Sequence, residues 1–566
     1  MIISTFRNSR RPPVDHRDRI VRQDFPPGPP GRYGVTGARA IPGGWTDVAS
    51  CLDRSITEKP DAEALVGRFA RYSFRELDDA INAAAAALQA LGVKAGDRVA
   101  ASAGNHPDIV LAFFATQRLR AIWVGVSRPL AGPEKAYQLR DSGACVFLAD
   151  DAARSQIEAR RHDLPDLRHV IDMEPGAAPN AWLQLVQAQA GAPRPAVAVD
   201  PHAPAAIAYT SGTTGHPKGA VHSQHNMIVV AAITHAGLRG AHWRPDLRRG
   251  VTLGLTILNL MILDPVTSMS GGGTCICMDR ADAAGIAEWV RRERIETFTS
   301  APATVFDLLT RPEIDPADLA SLVFAGAGGA NVPDELRRMY AERFGMPLMS
   351  GYGLTEAPTA VTGTRADGGL VPGSCGRPFA HVEIAALDPE GRVLPPEETG
   401  EICIRAAGTG DWRGVYTPML GYWRRPEETA VALRGGWLHT GDIGALNAEG
   451  DLFLKDRLKE LIIRGGANIY PAEVERVLTA DPRIRDAAVV GKPDARLGEV
   501  VAAFVELAPG VAPGPELEAE LRAACLDQLA RYKVPEVWRF VTDMPRNAMN
   551  KIIKARLREI AAAEAG

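Results

Sequence analysis

The string Tyr209-Thr210-Ser211-Gly212-Thr213-Thr214-Gly215-His216-Pro217-Lys218-Gly219 gathers three glycines, four Ser/Thr hydroxyls and one lysine. The glycines let backbone N–H groups face a ligand, the hydroxyls donate to phosphate oxygens, and Lys218 adds a cation; a triphosphate requires this combination. The spacing is not that of the G-x-x-x-x-G-K-[ST] loop, which fails at Pro217 and Gly219. A second string, Ser350-Gly351-Tyr352-Gly353-Leu354-Thr355-Glu356, offers an aromatic face for a base, a hydroxyl for an α-phosphate and a carboxylate for Mg²⁺, which takes hard oxygen ligands. A third, Gly436-Trp437-Leu438-His439-Thr440-Gly441-Asp442, ends in an acid suited to both hydroxyls of a ribose. The three strings together describe a site for a magnesium nucleoside triphosphate.

In this order the strings resemble the superfamily of adenylate-forming enzymes, which includes acyl-CoA synthetases, peptide-synthetase adenylation domains and firefly luciferase. The resemblance runs from about residue 45 to the C-terminus. It extends through Gly421-Tyr422-Trp423, Lys455-Asp456-Arg457-Leu458-Lys459-Glu460, Ala467-Asn468-Ile469-Tyr470-Pro471 and the ending Pro545-Arg546-Asn547-Ala548-Met549-Asn550-Lys551. It implies an α/β protein with a large N-terminal domain of layered sheets and helices and a small α+β C-terminal lid. It also implies a reaction in which ATP converts a monocarboxylic acid to an acyl-adenylate, which then passes to coenzyme A; loading of a carrier protein is the alternative.

By that resemblance, Thr210, Ser211, Gly212, Thr213, Thr214, Gly215 and Lys218 hold the β- and γ-phosphates, and Gly328, Gly329 and Ala330 flank the adenine with Tyr352. Thr355 touches the α-phosphate, Glu356 holds Mg²⁺, Asp442 takes the ribose with help from Arg457, and Lys459 is the hinge. Lys551 bridges the substrate carboxylate and the α-phosphate, where a cation offsets the repulsion of two anions. The family has glycine before this lysine; here it is Asn550, which tolerates the left-handed conformation better than other non-glycine residues. Gly465 and Gly466 resemble the small residues lining a pantetheine tunnel.

The acyl pocket is expected between Asn259, Val305, Gly328, Ser350 and Gly351. Asn259 pairs weakly with an ammonium, which disfavours an α-amino acid. No Arg or Lys stands among these residues, which disfavours a second carboxylate. Gly353 stands where acetate-specific members block the pocket with Trp, so a medium, branched, alicyclic or aromatic acid is expected.

The elements that position these residues follow βαβ grammar. Ser73-Phe74-Arg75-Glu76 is a capping box, and Leu77, Ile81, Leu88 and Leu91 form one stripe of a helix that Gly92 closes. Strands are expected at Arg98–Ser102, 121–126, 144–149, Thr297–Ser300 and 322–325. A helix is expected over about 108–119. Past about Asp456 the segments shorten; strands at 486–490 and 500–507 and a helix over 515–531 suggest the small domain. The expected divisions are an Arg/Pro-rich extension over 1–44 with little to bury, a large domain over 45–456 and a lid over 457–566.

Composition narrows the partners. Lys+Arg 64 against Asp+Glu 68 gives a formal net charge of -4, so no overall basic field holds nucleic acid. The seven cysteines lack metal spacing and read as reduced thiols. The charged, proline-containing start and the lack of a long apolar run read as a cytoplasmic protein without a transmembrane segment. The expected partners are small molecules (the acid, ATP and coenzyme A), with a homodimer left open.

Overall fold

The computed structural model describes residues 39–563 apart from 131, 211–216, 239–243, 245, 329–331, 333, 365–370, 458–461, 465–466, 470, 495–496, 530 and 548–549. The helix Phe74–Ala90 forms as its sequence requires. Ser73 accepts from the Glu76 N–H, and the Glu76 carboxylate accepts from the Ser73 N–H at 2.8 Å, so two of the donors at the helix start are satisfied reciprocally. Leu77, Ile81 and Leu88 are fully buried, each contributing about 2 kcal/mol of apolar burial, and Gly92 leaves the helix at φ +76°.

Two seven-stranded sheets carry the larger part of the chain. The first runs, in spatial order, Leu348–Met349, Phe324–Ala327, Thr297–Ser300, Arg248–Val251, Thr274–Cys277, Glu63–Val66 and Arg71–Ser73, parallel except for the last pair. The second runs Gly421–Tyr422, Lys218–Ser223, Pro204–Thr210, Ile122–Gly125, Arg98–Ser102, Val146–Ala149 and His169–Asp172, with its first two pairs antiparallel. Helices on their faces keep the parallel strands buried on both sides, and Val146–Ala149 is accordingly an unbroken apolar run. The expected strand at 322–325 lies later, at Phe324–Ala327, and takes in Gly326.

The sheets meet at the carboxyl ends of two strands. Asn105, just past Arg98–Ser102, donates to the Val251 and Leu253 carbonyls and accepts from the Leu255 N–H at 3.0 Å. At the end of Ile122–Gly125, a Cβ on Gly125 would sit 1.9 Å from the Thr256 oxygen, so only glycine allows this approach. The segment leading to Asn259 is thereby fastened to both sheets.

A four-stranded antiparallel sheet follows, in the order Val382–Leu387, Gly400–Ala406, Leu438–Leu446 and Leu452–Arg457. The next strand, Ile462–Arg464, belongs to a separate five-stranded sheet with Ala467–Ile469, Gly498–Leu507, Ile484–Asp494 and Val537–Val541. Its core is built on Val489, Val501, Leu521 and Trp538. The fold is thus a large N-terminal α/β body followed by a smaller α+β one. At the other end, Ile41 is buried and the Arg39 N–H donates to Gly414. The last residues of the expected extension therefore pack on the large body; residues 1–38 lie outside the described residues.

Candidate active site

In parallel α/β sheets ligands collect beyond the carboxyl ends of the strands. Four adjacent strands of the first sheet end at Val251, Ser300, Ala327 and Met349, and the acyl-pocket candidates Asn259, Val305, Gly328, Ser350 and Gly351 all follow those ends. Chain order separates them by up to ninety-two residues, from 259 to 351, yet the sheet gathers them on one edge.

The strand expected before the phosphate string forms as Pro204–Thr210. Lys218–Ser223 pairs with it antiparallel, with Thr210 opposite Lys218. Lys218 is therefore the first residue of a strand. Ser211, Gly212, Thr213, Thr214 and Gly215 lie outside the described residues. The base of this hairpin is held by Tyr209, whose hydroxyl donates to Asp141 at 2.7 Å, and by Tyr137, whose hydroxyl donates to the Pro217 carbonyl at 3.1 Å. Burial, reinforced by the Asp141 charge, pushes the Tyr209 hydroxyl pKa well up, so it remains a donor.

A residue without an assigned role joins the first two strings. Gly421–Tyr422 pairs with Ala220 and Val221, which brings the Tyr422 ring beneath Lys218, with the ammonium 5.2 Å from the ring centroid. The Tyr422 hydroxyl donates to Glu356 Oε1 at 2.9 Å. Burial and then the Glu356 charge raise the tyrosine pKa, so the hydroxyl keeps its proton. Thr355 and Glu356, both half-buried, sit in a turn closed by Thr359 at φ +84°, a strained conformation for a β-branched residue. His222 lies buried beneath this turn, against the Thr355 backbone; burial pulls its pKa down to about 3 and keeps the ring neutral.

Tyr352 and Asp442, ninety positions apart, are in contact: the tyrosine hydroxyl donates to Asp442 Oδ2 at 2.5 Å, and both are buried. The Tyr352 N–H donates to Thr362 at 2.9 Å. Arg457 is placed by its backbone opposite Asp442 on the neighbouring strand.

The pocket candidates differ in what they offer. Asn259 is half-buried, its Oδ1 is buried, and its carboxamide makes no hydrogen bond to a described residue. A Cβ on Gly328 would find its nearest neighbour among the described residues, Thr299, at 4.0 Å. Val305 is fully buried among Phe298, Leu308 and Ala325 and presents no exposed surface. Cβ atoms on Gly351 and Gly353 would lie 2.3 Å from the Thr362 oxygen and 2.4 Å from the Thr359 oxygen. Backbone packing thus demands both glycines, so the glycine at 353 has a structural reason of its own beside the expected unblocked pocket. A guanidinium also stands close by: Arg337 donates to Ser350 Oγ at 2.7 Å, with Asp334 at 3.8 Å balancing its charge.

In the smaller body, Asn550 adopts φ +60°, as its substitution for glycine anticipates. The Lys551 N–H donates to Asn547 at 3.0 Å, and Arg546 anchors the turn on Asp486 and Glu506. Gly329, Ala330, Lys459, Gly465 and Gly466 lie outside the described residues. The seven cysteines are free thiols, and no helix among the described residues is long and apolar enough to cross a membrane.

A strand-borne edge carrying a nucleotide-type site, followed by a small second body, defines a class, and the chain belongs to the AMP-binding enzyme family. The model of that family matches residues 52–423, and that of the AMP-binding enzyme C-terminal domain matches 473–551. A methyl-dioxo-octahydroindenyl-propanoyl:CoA ligase of Mycobacterium tuberculosis is 36% identical, covering 91% of this chain and 98% of its own. The indoleacetate–CoA ligase of Aromatoleum aromaticum is 33% identical, with 91% and 98% covered. The crystal structure of the anthranilate CoA ligase AuaEII with anthranoyl-AMP superposes with a TM-score of 0.84 at 27% identity, covering 92% of this chain and 98% of that one. The protein is an AMP-forming acid–thiol ligase that uses ATP to form an acyl-CoA.

Proposed function

We propose that the acid is a bulky monocarboxylic acid, branched, alicyclic or aromatic, and that the residues brought together above divide the work as follows. The observation that carries the reading is the chain Lys218–Tyr422–Glu356, which couples the phosphate loop to the carboxylate suited to a metal. Thr210, the loop after it and Lys218 take the β- and γ-phosphates. Tyr352 and the Gly328-to-Ala330 segment flank the adenine, and Asp442 with Arg457 takes the ribose. The half-buried Glu356 carboxylate supplies the hard oxygen that Mg²⁺ prefers, so these residues fit that ion, whose charge when bound neutralises the departing phosphates.

Thr355 orients the α-phosphate, and Lys551 draws the acid's carboxylate against it. A carboxylate oxygen then attacks the α-phosphorus; its bond to the β-phosphate oxygen breaks and pyrophosphate leaves. In the second step the thiolate sulfur of coenzyme A attacks the acyl carbon, the bond to the AMP oxygen breaks, and AMP leaves. The smaller body acts as a lid over 457–566, hinged at Lys459, with Gly465 and Gly466 lining the thiol's approach. Ring-bearing acids in the names of the two ligases and of the bound anthranoyl-AMP support the acid class. The reaction is assigned to the cytoplasm.

Lys551→Ala tests the reading. It is expected to abolish pyrophosphate release from ATP and acid while leaving thioester formation from supplied acyl-adenylate nearly intact; equal loss in both steps removes the assignment.

A further inference from the structure

We propose that Glu401 is a positioning residue for the nucleotide, holding a β-bulge that aims Asp442 at the ribose; this rests on the reading of Asp442 as the ribose ligand. Between strands Gly400–Ala406 and Leu438–Leu446 the pairing is interrupted. Glu401 faces Ile443 and Cys403 faces His439, so the stretch from Thr440 to Asp442 has one opposing residue, Ile402. The N–H groups of such a bulge leave the backbone ladder and need other partners.

Two side chains supply them. Glu401 Oε1 accepts from the Gly441 N–H at 3.1 Å, where Gly441 turns through φ +72°. Thr440 Oγ1 accepts from the Asp442 N–H at 3.1 Å and donates to the Ile402 carbonyl at 2.6 Å. Glu401 is held in turn, because Oε2 accepts from His439 Nδ1 at 2.8 Å and from Arg434 at 3.0 Å. Burial opposes the carboxylate charge, but His439, Arg434 and the Gly441 N–H outweigh it and keep Glu401 below the usual carboxylate range. Cys403 Sγ lies 3.3 Å from His439 Nδ1, so Glu401, Cys403 and His439 could bracket a metal ion; Arg434 already places a positive charge on that carboxylate. The bulge leaves Asp442 against the Tyr352 hydroxyl at 2.5 Å. No described contact takes Glu401 itself to the site, so its influence runs through Gly441.

The experiment compares ATP with 2′-deoxy-ATP and 3′-deoxy-ATP in pyrophosphate release by wild type, Glu401→Gln and Glu401→Leu. Wild type is expected to favour ATP by about tenfold or more, because a site built to bind hydroxyls rejects analogues lacking them. Glu401→Leu is expected to raise KM for ATP and bring the ratio towards unity with KM for the acid unchanged; Glu401→Gln, which keeps an oxygen for Gly441, falls between. Should Glu401→Leu fail to fold, Glu401→Gln and Thr440→Val carry the same comparison. A folded variant that keeps the wild-type ratio overturns the proposal. A wild type indifferent to the missing hydroxyls overturns instead the Asp442 reading beneath it.

Discussion

Removing one oxygen atom probes the contact between the phosphate loop and the metal-type carboxylate. Tyr422→Phe keeps the ring beneath Lys218, and with it a cation–π contact of about 0.5–2 kcal/mol. It deletes the 2.9 Å hydrogen bond to Glu356. A hydrogen bond to a charged group is worth about 1.5–3 kcal/mol, or about 10- to 150-fold in a rate or binding constant. If the hydroxyl holds Glu356 in the orientation that receives Mg²⁺, that loss falls on kcat and on the Mg²⁺ concentration required, with KM for the acid unaffected. Pyrophosphate release measured across a Mg²⁺ titration, at saturating acid, reads it directly. Tyr422→Leu, which also removes the ring, is expected to add a rise in KM for ATP of about 2- to 30-fold. A Phe variant whose Mg²⁺ titration superimposes on wild type would refute the coupling, and Glu356 would then need another orienting group.

Two further outcomes follow from burial and crowding. Gly353 is exposed, yet Gly353→Ala is expected to destabilise by about 1–3 kcal/mol in urea melts, because its Cβ meets the Thr359 oxygen at 2.4 Å; activity should fall for all acids alike if packing alone fixes this glycine, and a variant that spares small acids would instead support its place at the pocket. His222 has a folded pKa of about 3 against about 6.5 unfolded, so between those values the unfolded chain binds more protons and stability falls as pH drops. Its share of that loss is about 2 kcal/mol at pH 5, to be read as the difference between urea melts at pH 7 and pH 5 that His222→Leu removes. His235, with its pKa lowered to about 4, acts in the same sense.

What was legible in the sequence was local. The capping box of Phe74–Ala90 and the apolar strands of the second sheet announce themselves, because their hydrogen bonds and burial depend on neighbours three or four positions away, or two. The strand at Phe324–Ala327 lies two residues later than the 322–325 that the apolar pattern suggests, and it takes in a glycine, a residue that weakens strand propensity. Gly326 sits in the strand because a Cβ there would lie 2.6 Å from Thr299 Oγ1 on the adjacent strand. The same limit applies to the site. Tyr352 and Asp442 could each be matched to a role, but the bond between them depends on two separate strands meeting. Tyr422 reaches Glu356 only because Gly421–Tyr422 pairs with a strand two hundred positions earlier. Asn105 and Glu401 carry no motif chemistry; their importance arises from backbone groups supplied by distant segments.

The Asn105 and Gly125 contacts grip the chain at Val251 to Thr256 and leave the stretch from Ile257 onward, with its π-turn at Ile262–Val266, outside their grip. Frame and lining are therefore separate parts. Leu258, Met261, Ile262 and Val266 of that stretch belong to the core and Asp264 is tied to Arg249, whereas the half-buried Asn259 can be exchanged without loosening the joint, and Asp442 lies in a different sheet altogether. Acid preference should drift readily across descendants of this scaffold while the handling of ATP stays put. An engineer wanting a new acid has good reason to begin beyond residue 256.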